Sequence, residues 1–261
     1  MSRLRAALRR GRRRDGGDAT GTEAEVEAEA ALAGLKPSDR RIVENALPYT
    51  MTGVARLQAL VDAVRHCHRR GVPGSFAECG VWRGGSVLAM ILTLQDLGVA
   101  DRDIHLYDTF EGMTAPTEHD VSEIDPPALQ TWRDAEGRDA RAWAELFDPD
   151  AINEDAVRET LLATGYPSER LHLVRGPVEQ TLPQRAPDAL ALLRLDTDWY
   201  ESTRHELEHL YPRLADGGVL IVDDYGHWAG CRRAVDEYFE RHAAPLLLNR
   251  IDYTGRIAIK H

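Results

Sequence analysis

The chain has 261 residues, 43% of them apolar, and its 32 Lys plus Arg against 43 Asp plus Glu give a formal charge of −11. That is enough for one large domain or two small ones with a real core, and no apolar run reaches the roughly 18 residues that a membrane-spanning helix needs. Cys67, Cys79 and Cys231 are odd in number and lack CxxC spacing, which argues against a disulfide framework or a zinc site and makes a reducing cytoplasm the expected setting.

The charge is uneven along the chain. Arg3, Arg5, Arg9, Arg10, Arg12, Arg13 and Arg14 crowd the first 14 residues without an acid, so the other 247 residues sum to −18. A body of that sign repels a phosphate backbone, and nucleic acid is not an expected partner. The Arg-rich start lacks the apolar stretch of a signal peptide. With the Ala/Glu block that follows (Glu23, Glu25, Glu27, Glu29) it reads as a disordered or weakly helical tail over residues 1–38, outside the core. A single domain is expected over residues 39–261.

Val54, Leu57, Val61 and Val64 recur at helical spacing, and Gly71, Pro73 and Gly74 end that helix. Short apolar runs at residues 76–79, 104–107, 171–174, 189–195 and 219–222 then read as strands buried on both faces. Helical stripes lie at 86–97, 199–214 and 228–242. The chain ends in strand-like pieces at 246–251 and 256–259, joined through Thr254 and Gly255 as a hairpin. This alternation predicts an α/β, doubly wound, Rossmann-like fold. Its sheet is mostly parallel with a C-terminal antiparallel hairpin, and ligands lie at the carboxyl ends of the strands. Residues 111–160 break the pattern with 14 acids, 4 arginines, Pro116, Pro126 and Pro127. That is too long for an ordinary connection and is either an active-site lid or a disordered insert. Trp132, Trp143 and Phe147 favour the lid.

Three places carry chemistry. The first strand runs through Glu78 into Gly80, Gly84 and Gly85 and opens a helix at Ser86. Glycines there permit a tight turn and a ligand against the main chain, but the spacing is not GxGxxG, so a nicotinamide dinucleotide is disfavoured. Glu78 ahead of the loop suits an ammonium or sulfonium cation; the competing reading is a plain strand-to-helix turn capped by Ser86. Asp108 ends the second strand, where an acid accepts from ribose hydroxyls or caps the next segment. Asp196 and Asp198 end one later strand, Asp223 and Asp224 another. If those strands are neighbours, the carboxylates converge, and repulsion calls for a cation held by oxygen ligands, magnesium ahead of calcium or manganese. Asp198 to Glu201 also has capping-box spacing, which makes Asp198 a helix cap on the alternative reading. His227 and His119 are weaker candidate bases.

The strings FAECGVWRGGS (76–86), YDTFEGM (107–113), LDTDWYEST (195–203) and GVLIVDDYG (218–226) together resemble the macrocin O-methyltransferase family, over roughly residues 41–261. The resemblance implies a class I S-adenosylmethionine-dependent methyltransferase with a seven-stranded sheet. It acts on a sugar hydroxyl of a small-molecule glycosylated substrate in antibiotic biosynthesis. It places Glu78 and Gly80 at the methionine end of the cofactor, beside Ser86, with Asp108 at the ribose. Tyr49, Thr50, Met51 and Thr52 match a segment that closes over the cofactor. Asp196, Asp223 and Asp224 match the Mg2+-binding aspartates, with Asp196 also bordering the cofactor, and Asp198 matches the general base. The family often forms dimers, which makes the Tyr49 region and the tail candidate contact surfaces of a homo-oligomer. The match fades beyond Pro116, in the segment that helps choose the acceptor. A catechol or other phenolic diol would suit the same metal logic, and a non-catalytic nucleoside-binding module is the reading from another class.

Overall fold

The computed structural model of the protein describes residues 28–242 and 245–261. The described strands are β1 (Ser75–Cys79), β2 (Ile104–Asp108), β3 (Leu171–Arg175), β4 (Leu190–Leu195), β5 (Leu214–Val222), β6 (Asn249–Arg250) and β7 (Arg256–Ile259). They form one sheet in the order β3-β2-β1-β4-β5-β7-β6. β1 to β5 pair in parallel, and β7 runs antiparallel to β5 and β6. The expected mostly parallel, seven-stranded sheet with an antiparallel C-terminal hairpin is therefore present. Strand order reverses between β1 and β4, which opens a crevice at their carboxyl ends.

Period-two alternation sends neighbouring side chains to opposite faces. Phe76, Ile104, Leu192, Val219 and Ile221 face one layer of helices: α1 (Pro37–Ala46), α2 (Val54–Arg69) and α3 (Gly85–Asp96). Ala77, Tyr107, Leu193, Leu195, Leu220 and Val222 face the other. Between β2 and β3 lie α4 (Ala128–Glu136), α5 (Pro149–Ile152) and α6 (Glu154–Leu162); α7 (Val178–Thr181) follows β3. The second helical layer is α8 (Tyr200–Leu210) and α9 (Ala229–Arg241). α3 is apolar nearly all round and buried from Gly85 to Ile91, as a helix must be when it is covered on several sides.

Four boundaries differ from the sequence expectation. Packing begins before residue 39: residues 28–33 are helical, and Leu32 is fully buried in the core with α1 and α2. Leu32 stands in an alanine-rich stretch with few large apolar side chains, so it leaves no periodic stripe, and Leu35 packs partly buried beside it. Residues 1–27, which hold the arginines of the tail, lie outside the described residues. The segment set apart as 111–160 overruns at its end, because α6 buries Val157 and Leu161 against Gly84 and belongs to the main body. The helix expected over 199–214 stops at Leu210, a 3-10 turn at Tyr211–Arg213 follows, and β5 starts at Leu214. The strand expected over 246–251 shrinks to two residues, with Leu247 left 78% exposed.

Candidate active site

The ends of β1, β4 and β5 are stitched together by backbone bonds. Asp196 N donates to Cys79 O and Asp223 N to Leu195 O, each at 2.9 Å. Gly80, at φ +82, lies so close to this seam that an added Cβ would stand 1.9 Å from Asp196 O. Gly85 serves likewise: a Cβ there would meet the Tyr49 carbonyl at 2.6 Å, so the Tyr49–Thr52 segment lies over the start of α3. Gly80→Ala is therefore expected to cost more than the roughly 1–2 kcal/mol of a left-handed φ alone, because the Asp196 carbonyl must also move. A clear drop in melting temperature with lost ligand binding by calorimetry is the expected result, and an unchanged melting temperature would contradict it.

Asp108 anchors the turn. Its Oδ2 accepts from Val81 N (2.6 Å) and Trp82 N (2.9 Å), and its Oδ1 from Phe110 N (2.7 Å). Most of its acceptor capacity is thus used by the main chain, leaving little more than one site for a hydroxyl.

The register of the sheet explains the centre of the site. Glu78 pairs with Arg194, and Arg194 with Ile221, so Glu78, Arg194, Asp196 and Asp223 share one face at adjoining strand ends. Arg194, 2% exposed, donates from Nη1 to Glu78 Oε1 and Asp196 Oδ2, and from Nη2 to Asp223 Oδ1, all at 2.6 Å. Its Nη2 also reaches Thr52 Oγ1 at 3.0 Å. Arg56 bonds the other oxygen of Asp223 and pairs with Asp252. Glu78, Asp196 and Asp223 thus share Arg194, and Asp223 and Asp252 share Arg56. Asp198 and Asp224 bond neither guanidinium; Asp198 accepts from Trp228 and Asp224 from Asp198 N.

Burial pushes the Glu78 carboxyl up to about 8, against the lowering effect of Arg194. Burial, then the neighbouring acids, also raises Asp198 and Asp224 above the usual carboxylate range. This is the signature of a cluster short of positive charge. One oxygen from each of Asp196, Asp223 and Asp224 lies within 4.8 Å of the others, an all-oxygen donor set suited to a hard divalent cation. Glu78 Oε2 is buried without a hydrogen-bond partner, so an ammonium group would find an acceptor waiting.

Glu78, Gly80, Ser86 and Asp108 line one cavity of about 450 Å³, as do the four later aspartates. That is the size of a small-molecule site. Thr50 and Met51 line it too; the Tyr49 side chain does not, and lies instead beneath Arg83, 5.8 Å from its ring centroid. The 111–153 segment closes the opposite side through Met113, Thr114, Trp143 and Phe147. It is held by Trp82 Nε1 donating to Leu146 O (2.9 Å) and by Trp199 Nε1 donating to Thr114 O (3.0 Å).

Asp198 is not a helix cap. It sits at φ +67, Trp228 Nε1 donates to its Oδ1 at 2.8 Å, and its own N donates to Asp224 Oδ2. The helix expected to be capped locally receives its acceptor from 80 residues away: Tyr200 N donates to Asp120 Oδ1 at 2.7 Å. His227 lines the cavity, whereas His119 stacks on Tyr200 outside it. Sequence reasoning missed Arg194, Arg56 and Asp120. The signal for Arg194 was an arginine inside an otherwise apolar parallel strand, which is rarely tolerated without partners. Arg56 and Asp120 carried no comparable signal.

The fold matches the solved O-methyltransferase NovP with a TM-score of 0.67 at 32% identity, over 81% of this chain and 82% of NovP. The reversed strand order and antiparallel C-terminal strand define a class I Rossmann-like O-methyltransferase. The model of the macrocin-O-methyltransferase (TylF) family matches residues 22–259, and the chain belongs to that family. It is 36% identical to the 8-demethyl-8-(2,3-dimethoxy-alpha-L-rhamnosyl)-tetracenomycin-C 4'-O-methyltransferase of Streptomyces olivaceus, over 79% of this chain and 74% of that one. It is 34% identical to the mycinamicin III 3''-O-methyltransferase of Micromonospora griseorubida, over 79% and 76%.

Proposed function

We propose that this enzyme methylates a hydroxyl of a deoxysugar on a glycosylated natural product, with Asp198 as general base beside a magnesium ion held by Asp196, Asp223 and Asp224. The observation that carries this reading is the meeting, in one cavity, of an oxygen donor set, the neighbouring half-buried Asp198 carboxylate and the orphaned Glu78 Oε2. Bound there, the ion supplies Lewis acidity that makes an acceptor hydroxyl easier to ionise.

The chain's own residues do the rest. Glu78 Oε2 takes the ammonium of S-adenosylmethionine, the remaining site on Asp108 takes a ribose hydroxyl, and Gly80 and Ser86 leave room along the turn. Thr50 and Met51 cover the cofactor, with the Tyr49 backbone locked over Gly85. Trp228 fixes Asp198 Oδ1 and leaves Oδ2 to receive the acceptor's proton. With S-adenosylmethionine bound, these residues would hold the acceptor oxygen, the methyl carbon and the sulfur in line, the larger part of the rate gain; the O–CH3 bond would form as the CH3–S bond breaks, with S-adenosylhomocysteine leaving and the proton resting on Asp198. The 111–153 segment acts as a lid that excludes water.

Charge supports a neutral glycoside as acceptor. Arg56 is the one lysine or arginine among the described residues lining the cavity, and it is engaged by Asp223 and Asp252. Asp125 and Glu179 add to the acids around it, an unfavourable place for a diphosphate. Trp143, Trp199 and Trp228 follow one another, the first pair tilted and the second edge to face, with centroids 5.8 and 5.0 Å apart. That wall suits the apolar face of a sugar and also favours the second reading, a phenolic diol.

The test is mass spectrometry on glycosylated natural products, a nucleotide-linked sugar and a catechol, each with labelled S-adenosylmethionine and Mg2+. Methylation confined to glycosides is the expected result; transfer to the catechol alone overturns the sugar assignment. Removing divalent ions with EDTA is expected to lower turnover at least about 100-fold, several kcal/mol of barrier, with recovery on adding Mg2+. Undiminished turnover in EDTA would refute the metal.

A further inference from the structure

We infer that Asp120 is a positioning residue, the wedge through which the lid segment sets the orientation of Asp198. The inference rests on the role proposed above for Asp198.

Asp198 is held from two directions by the starts of two helices. On its main-chain side, Tyr200 opens α8 two residues later. On its carboxylate side, Trp228, the residue before α9, donates to Oδ1 at 2.8 Å. A left-handed backbone at a non-glycine residue persists only where its surroundings over-determine it. α8 and α9 pack along one another, and Asp224 links their starts by accepting from Asp198 N and from Trp228 N; Asp120 fills the gap between the two starts from the lid side. It is 1% exposed, and its Oδ1 accepts from Tyr200 N at 2.7 Å. That oxygen also rests against α9, where a Cβ on Gly230 would be 2.0 Å away. The next residue continues the clamp, as Ala229 N donates to Val121 O at 2.9 Å.

Asp120 is itself fixed. Its Oδ2 accepts from Thr117 N (2.6 Å) and Thr117 Oγ1 (2.8 Å), which folds residues 117–120 into a closed turn. A few residues earlier, Thr114 O accepts from Trp199 Nε1. The lid therefore bonds Trp199 and Tyr200 and abuts Ala229 and Gly230, the residues that flank Asp198 and its Trp228 partner. α8 has no side-chain cap of its own, so the acceptor its first turn needs arrives only when this segment is seated. Completion of the lid and orientation of the base are one event.

Two substitutions approach the wedge from opposite sides. Asp120→Ala removes the acceptor, and Gly230→Ala keeps the carboxylate but displaces it. Asp120→Asn keeps an oxygen facing Tyr200 N but turns its amide N–H groups toward Thr117 N, itself a donor, so it keeps the bond to α8 and gives up the one from Thr117 N. Turnover is measured per S-adenosylhomocysteine-binding site, so loss of folded protein does not count as loss of catalysis. D120A and G230A are each expected to lose about 100-fold in kcat, the size of effect that an error of about 1 Å in placing a reacting group produces. The KM for S-adenosylmethionine should stay within about two-fold, because Glu78 and Asp108 are untouched, and D120N, which keeps the bond to α8 but not the one from Thr117 N, should fall between D120A and wild type. Wild-type turnover in D120A or in G230A overturns the inference. A readout independent of the acceptor is the NMR resonance of the Trp228 indole N–H, assigned with W228F. It should shift in D120A and G230A and by less in D120N; an unmoved resonance in D120A and G230A overturns the inference. A wild-type enzyme that methylates nothing in the panel counts against the proposed function, and the indole resonance then decides this point alone.

Discussion

Arg194→Met is expected to remove a third or more of the protein's stability. The side chain is 2% exposed and supplies the countercharge for Glu78, Asp196 and Asp223 at once. Methionine roughly conserves the volume and leaves the acids behind. Glu78 and Asp223 have almost no access to water, so neither is rescued by solvation. Taking one partner from a buried ion pair costs about 3–5 kcal/mol, against a total of about 5–15 kcal/mol for a typical domain. Arg194→Lys should fall between the two proteins, since an ammonium keeps the charge but not the planar fork that reaches three carboxylates and Thr52. Urea denaturation measures the loss. Added Mg2+ should return part of it, about 2.7 kcal/mol at a hundred times its dissociation constant if it binds only the folded state. A variant within about 1 kcal/mol of wild type would show that the arginine is not the counter-ion of this cluster.

Asp198→Asn should leave the fold intact and lower kcat by about 10²–10⁴, the range for a lost general base. Asparagine tolerates φ +67 as aspartate does, and its carbonyl oxygen can still accept from Trp228 Nε1. What disappears is the capacity to hold the acceptor's proton. S-adenosylhomocysteine and Mg2+ affinities measured by calorimetry should change little, which separates this outcome from damage to the site. Asp198→Ala is the poorer test because alanine in that conformation adds strain. Turnover within about three-fold of wild type in the asparagine variant would remove Asp198 from the base role.

The sheet was legible because buried parallel strands are continuous apolar runs, and five such runs alternate with helical stripes. The acids of the site were legible for a related reason: Asp108, Asp196 and Asp223 follow those runs directly and Glu78 is the next-to-last residue of the first, and in a parallel sheet such positions fall on one edge. The edges of elements were less legible. Leu32 shows how one anchoring side chain in an alanine-rich stretch escapes a periodicity argument, and Val157 and Leu161, spaced among the charges of α6, escaped it too.

From local pattern alone came the strands, the glycine turn after Glu78 and an acid at each strand's carboxyl end, since each depends on residues close together in the chain; that those strands are neighbours was decided by the sheet's order. What balances those acids came only with the packed structure. Arg194 lies among three carboxylates because register pairs it with Glu78 on one side and Ile221 on the other. Asp120 serves α8 from 80 residues away. Inter-strand register and lid docking are settled by which surfaces meet, so the capping role that local spacing offered to Asp198 fell to a residue no local pattern could name.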